Sequence, residues 1–193
     1  MHLEAKMIKQ VRITEQNLIF AAQVQHTLFP ECSAWENYNE SVRNLSSNEY
    51  YLLYLDEVCI GISGIYQYPS DPASAWLGWF GILPAYRRYG YGSEALGIFE
   101  QTARDRGFAY ARLYTDRYNN EAAITFYTAN GYSGEIYDNP DDPAAFQYPI
   151  FVFSKSLTGD PVPPWNNREM NFTEQMKKEK KQPPRFLLSE DIT

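Results

Sequence analysis

The residues best suited to chemistry lie in one short run, Arg87-Arg88-Tyr89-Gly90-Tyr91-Gly92. Two glycines one residue apart let backbone amides turn toward a common point. A helix predicted to start just after them adds unpaired N–H groups and the positive end of its dipole. Such a cradle binds an anion, and a pyrophosphate suits it. Arg87 and Arg88 add positive charge at the rim. Taken alone, a Gly-x-Gly pair is more often a plain tight turn ahead of a helix. The stretch Gly90-x-Gly92-x-x-Ala95 also matches a dinucleotide-binding fingerprint, with Asp116 closing the next predicted strand 24 residues after Gly92. Three features oppose that rival: an antiparallel hairpin before the loop, two arginines at its mouth, and a single crossover unit after it.

The elements that must hold this loop can be read from periodicity. A β-prone stretch lies within 4–13, and Thr14 is placed to cap a helix bearing Leu18, Ala21, Ala22, Val24, Leu28 and Phe29, which Pro30 limits. Trp35, Tyr38, Val42 and Leu45 suggest a second short helix. Residues 50–55 and 58–66 read as a hairpin around Asp56-Glu57, and 76–83 as a third strand stopped by Pro84. Gly78 and Gly81 in that third strand predict a bulge or a close backbone approach. A helix over about 93–106, ended by Gly107, then a strand over 108–115, a helix over 120–130 ended by Gly131, and strands near 132–137 and 148–156 complete the order. The fold class is α+β.

Arg87, Gly90 and Gly92, following Ile82-Leu83-Pro84, and the later set Asn120, Ala123, Tyr127, Gly131 and Tyr132 together resemble the GNAT superfamily of acyl-coenzyme A-dependent N-acyltransferases. The resemblance covers about residues 4–157. It implies a mixed, mostly antiparallel sheet of about seven strands flanked by helices. It also implies acetyl-CoA as cosubstrate and an N-acetyltransferase acting on an amine. On that resemblance Ile82 and Leu83 would pair their backbone with the pantetheine arm, and amides of Arg88, Tyr89, Gly90, Tyr91 and Gly92 would hold the pyrophosphate. Asn120 would contact the pantetheine, Phe126 and Tyr127 would lie near the thioester, and Tyr127 would protonate the departing thiolate. Without the motif, Tyr127 would be one of 16 tyrosines and a core aromatic. The mechanism is direct attack by a neutral amine, with an amide of the bulged strand, such as that of Ile82, polarising the carbonyl. Many members carry a carboxylate base on the third strand, but 76–83 has no Asp or Glu. A non-catalytic acyl-CoA sensor on the same fold therefore stays open.

Composition narrows the partners. Net charge is −7. The stretch 158–193 holds six basic and six acidic residues, so residues 1–157 carry the whole excess. An acidic body argues against nucleic acid. No run of apolar residues is long enough to span a bilayer and no signal peptide is visible, so no membrane partner is expected. Two cysteines, Cys32 and Cys59, make no disulfide framework, which fits the cytosol. No metal-ligand spacing is present. Asp138, Asp141 and Asp142, in a turn-rich loop between the last two strands, are candidates for attracting a cationic small-molecule or peptide amine; a plain polar turn is the competing reading. Glu121, Glu135 and Asp138 read otherwise as ordinary surface carboxylates. Residues 1–157 are expected to form the acyltransferase domain and 158–193 a Pro-rich, charged extension, partly packed through Trp165 and Phe172. Exposed aromatics leave a homodimer open.

Overall fold

The computed structural model describes residues 7–116, 120–147, 150–165, 172, 173 and 177. In chain order the elements are strand β1 (Ile8–Arg12), helices α1 (Leu18–Leu28) and α2 (Trp35–Val42), and strands β2 (Glu49–Leu55), β3 (Val58–Tyr66), β4 (Ser74–Leu77) and β5 (Gly81–Ile82). They continue with helix α3 (Tyr91–Asp105), strand β6 (Tyr110–Asp116), helix α4 (Glu121–Ala129), strand β7 (Ser133–Ile136), helix α5 (Ala144–Gln147) and strand β8 (Ile150–Ser156). A 3-10 turn, Pro84–Tyr86, leads from β5 toward α3. The α+β expectation holds, and among the pairings described only β4 with β6 is parallel. No helix among the described residues is long and apolar enough to cross a membrane.

The chain forms two compact units. Among the described residues the first holds 7–65 and 78–99, and the second holds 66–77 and 100 onward. In the first unit β1 pairs antiparallel with β2, β2 with β3, and β3 with β5. Successive strand residues point to opposite faces. Leu52 therefore joins a cluster with Ala21, Val24 and Tyr38 of α1 and α2, while Leu53 joins another with Ile60, Ile82 and Ala95 of α3. The helix after β1 starts later than Thr14 predicts. Asn17 accepts the Thr14 N–H on Oδ1 at 2.7 Å and donates to the Arg12 carbonyl at 3.0 Å, closing a turn that delays helix formation to Leu18.

The expected third strand is broken in two, which is why the described residues form eight strands rather than about seven. Gly78–Phe80 interrupts it, and Trp79 sits at φ +47°, in the left-handed region that bulky residues avoid. The predicted close approach is there. A Cβ at Gly64 would lie 2.4 Å from the Tyr50 ring and 2.9 Å from the Gly78 carbonyl, so the β3 backbone can meet the bulge only without a side chain.

In the second unit β4 runs parallel to β6, β6 pairs antiparallel with β8, and β8 with β7. Its core is an aromatic cluster of Tyr66, Trp76, Tyr137, Trp165 and Phe172 with Ile150 and Val152. Trp165 and Phe172 come from the stretch expected to be an extension, and they pack as expected. Arg112 is buried in this unit, 3.2 Å from Asp71 and donating to Ser74 Oγ and Ser154 Oγ at 3.0 and 2.6 Å. Burial lowers its pKa, and the Asp71 charge works against that shift. The short α5 was not expected from sequence. The start of the strand predicted over 148–156 lies outside the described residues.

Candidate active site

Geometry at the glycine loop follows from a few backbone choices. Pro84 starts the 3-10 turn, where its missing N–H costs nothing, and the Tyr86 and Arg87 amides close onto Leu83 and Pro84. Arg88 then adopts φ +70° and Gly90 φ +87°. Nothing would lie within 4 Å of a Cβ at Gly90, so conformation, not space, demands glycine there. The first intrahelical bond of α3 runs from Glu94 N–H to Gly90 carbonyl. Among the described residues, the amides from Arg88 through Ser93 make no hydrogen bond to the protein. These are the donors that an anion would take up. The one acid of the first turn, Glu94, is held by the Ile8 N–H at 2.7 Å.

Beside the loop, Arg87 does more than add charge. Its Nε donates to the Ile82 carbonyl at 2.8 Å, tying the loop to β5. Leu83 N–H donates to the Ile60 carbonyl on β3, and the Leu83 carbonyl accepts from Tyr86. Alternation along an antiparallel pair then turns Gly81 toward β3 and Ile82 away from it. Of the two residues expected to pair with a pantetheine arm, Leu83 therefore has its backbone engaged internally. Ile82 is the one whose N–H faces outward. Phe80 closes the break and leads into β5. The glycines flanking Trp79 and Phe80 were the sequence signal for the break. Trp79 is half-buried, edge-on to Phe29 at 5.7 Å between centroids.

The second unit carries the other candidates. Helix α4 begins after Asn120, whose Nδ2 donates to Thr115 Oγ1 at 2.6 Å and fastens the helix start to the end of β6. Phe126 is half-buried and Tyr127 is 8 % exposed. Tyr127 packs on Phe126, Tyr132 and Phe153 at 5.2, 6.0 and 5.7 Å. Among the described residues its hydroxyl has no hydrogen-bond partner, and burial raises its pKa well above the ordinary phenol value.

The acidic loop divides. Asp138 and Asp141 are exposed. Asp142 is fully buried and accepts from the amides of Phe172 at 2.6 Å and Ala144 at 3.0 Å and from the hydroxyls of Tyr137 and Thr173. Burial pushes its carboxyl up, but these donors outweigh it and hold the pKa below the ordinary range. Its charge is consumed in fastening the residue 172–173 segment to the loop. Glu121 is exposed, and Glu135 accepts the Trp165 amide at 3.3 Å.

Comparisons with known proteins bear on the fold and the family. The pattern described as the Acetyltransferase (GNAT) family matches residues 16–132. Solved structures with a similar fold include an acetyltransferase from Thermus thermophilus (16% identity, TM-score 0.61, covering 81% of this chain and 99% of that one). The ribosomal-protein-S18-alanine N-acetyltransferase from Escherichia coli is similar too (16%, 0.61, 83% and 100%). So is PaiA N-acetyltransferase from Thermoplasma acidophilum in complex with coenzyme A (18%, 0.55, 77% and 98%). No curated protein sequence matches the chain.

Proposed function

The chain belongs to the acetyltransferase (GNAT) family, and on that premise we propose that it moves an acetyl group from acetyl-CoA to a primary amine by direct attack. The observation that carries the donor half is the row of unclaimed amides from Arg88 through Ser93 at the start of α3. In this reading they take the pyrophosphate, with Gly90 and Gly92 keeping the loop open and the arginines adding charge. The Ile82 N–H, turned away from β3, supports a pantetheine amide, and Asn120 supports the same arm.

For the chemistry, the amine attacks the thioester carbon, the carbonyl oxygen collects charge, and the C–S bond breaks as coenzyme A leaves as thiolate. Amides of the bulged stretch stabilise that oxygen. Tyr127 donates its proton to the sulfur. Burial raises its pKa and so weakens it as an acid: it meets the departing sulfur as a neutral hydrogen-bond donor, and water replaces the proton that it gives up. With no Asp or Glu in 74–83, the amine arrives neutral, and the N–H proton that it sheds as the C–N bond forms leaves through water. Exposed Asp138 and Asp141 are retained as attractors of a cationic acceptor; buried Asp142 is not. The two free cysteines suit a reducing cytosol.

The test is thiol release from acetyl-CoA against a panel of polyamines, amino sugars, amino acids and peptide N-termini. Turnover with any amine supports the reading. Tight binding without turnover across the panel would favour a sensor. A thermal melt stabilised by NADH but not by acetyl-CoA would overturn the donor assignment.

A further inference from the structure

We propose that the amine accepted at this site is borne by an aromatic group, and that Trp79 and Phe29 hold its ring beside the break at 78–80. This rests on the reading above that amides of the bulged stretch meet the thioester oxygen, and it names the acceptor class for that same site.

The break has two sides, and they differ. A Cβ at Gly81 would lie 3.1 Å from Leu28 Cδ1 and 3.4 Å from Phe29 Cζ, so the end of α1 rests directly on the stretch that follows Trp79. The Trp79 ring meets Phe29 edge-on, 5.7 Å between centroids and 72° between planes. Phe80 goes the other way, into the cluster of Ile82 and Ala95 that faces α3. That side is closed, because Ile82 and Ala95 are both buried. On the α1 side Leu28, Phe29, Trp35, Trp79 and Leu83 pack on one cluster, and each keeps part of its surface. Within this unit an acceptor reaches the broken stretch from the α1 side.

Three features of this corner select its occupant. Trp79 holds φ +47°, where glycine sits without strain and a bulky residue does not. Its ring is nevertheless partly exposed, so core packing alone does not account for keeping it there. Strain of this kind is found where a ligand uses the side chain. Two rings set edge to face also form a corner, in which a third ring can lie on one and meet the edge of the other. The last feature is charge. Helix α1 has no Asp, Glu, Lys or Arg in its 11 residues, and 74–83 has none either. A polyamine or an amino sugar would set several polar groups against this apolar corner. An aromatic amine sets one there, the nitrogen that it presents to the thioester carbon.

Thiol release from acetyl-CoA by the full chain, with phenethylamine, para-toluidine, propylamine and spermidine as acceptors, tests this. The preferred aromatic amine should exceed propylamine in kcat/KM by about 30-fold, as expected for burying a phenyl group. Either aromatic amine leading supports the inference, and which of the two is faster separates an aralkylamine from an arylamine. Trp79→Ala and Phe29→Leu should each lower that aromatic-to-propylamine ratio about five- to tenfold, and Phe29→Tyr should keep it because the ring remains. The ratio compares two acceptors on one preparation, so a loss of folded protein does not move it. If propylamine or spermidine turns over as well as the aromatic amines, or if the ratio survives both substitutions, this inference falls while the proposed function stands. If no amine supports thiol release, both fall together.

Discussion

Two loops of this chain are rich in turn residues and charge, and they end in opposite states. In the loop from Arg87 to Gly92 the amides from Arg88 onward have no internal partner among the described residues, Arg88 and Gly90 adopt left-handed conformations, and Tyr89 is exposed. The loop from Asp138 to Ala144 closes on itself. Asn139 accepts the Asp141 amide and donates to Tyr137, and Asp142 takes four donors with its surface fully buried. The first amides of any helix lack internal partners, and a helix start that follows a Gly-x-Gly turn and two arginines suits an anion. A satisfied cluster marks a fastening. Charge alone does not separate the two; hydrogen-bond bookkeeping does.

The largest expected effect tests whether the second unit supplies chemistry as well as fastening. Tyr127→Phe should lower kcat by about 10²- to 10³-fold with little change in KM for acetyl-CoA. Because burial holds the Tyr127 phenol far above its ordinary value, its own ionisation should impose no alkaline decline on kcat through pH 9; a fall there that Tyr127→Phe abolishes would sink its assignment as a buried neutral donor. Next comes the fastening itself. Asp142→Ala strands two amides and two hydroxyls and should cost about 3 kcal/mol of stability in a denaturant titration, while the affinity for coenzyme A stays at wild type. The sign with pH follows from the depressed folded pKa. The carboxylate contributes its full stabilisation above its ordinary value of 3.8, and the contribution fades as pH falls through the folded value. The gap between wild type and Asp142→Ala should therefore persist at neutral pH and close in acid.

At the open loop the pattern should reverse. Gly90→Val forces a β-branched residue to φ +87° and should weaken coenzyme A binding about 30-fold, with a stability loss of only about 1 kcal/mol. Comparable loss of folding and binding would mean that the loop is structural. The smallest effect is expected at the acidic loop's exposed residues. Asp138→Asn together with Asp141→Asn should raise KM for a cationic acceptor about two- to fivefold and should leave a neutral acceptor unaffected; equal KM values would remove these residues from the acceptor's path.

Much of this was legible in the residues. The loop, its glycines, the helices around Leu18, Trp35, Ala95 and Ala123, and the hairpin at Asp56 follow from periodicity and turn chemistry, which act over a few neighbours. The aromatic pair Trp165 and Phe172 was also a fair guess, since large apolar side chains seek burial. Asp142 looked the same as Asp138 and Asp141 in sequence. It differs because Phe172 and Thr173, 30 and 31 residues on, bring donors to it. Arg87 looked like rim charge, and its bond to Ile82 turned it into a strut. Thr14 looked like a cap, and Asn17 displaced it.

The amino-acid order by itself determined which segments had a helical or a strand period, where Gly107 and Gly131 end helices, and that a glycine turn leading into a helix follows a strand stopped by Pro84. Those are local consequences of Cβ sterics and side-chain spacing. Only the tertiary structure decided which charges remain free and which are consumed, that Ile82 and not Leu83 offers an outward N–H, and that Trp79 sits in a break of the third strand. A hydrogen bond or a bulge depends on what arrives from far along the chain, and no short window of residues contains that partner.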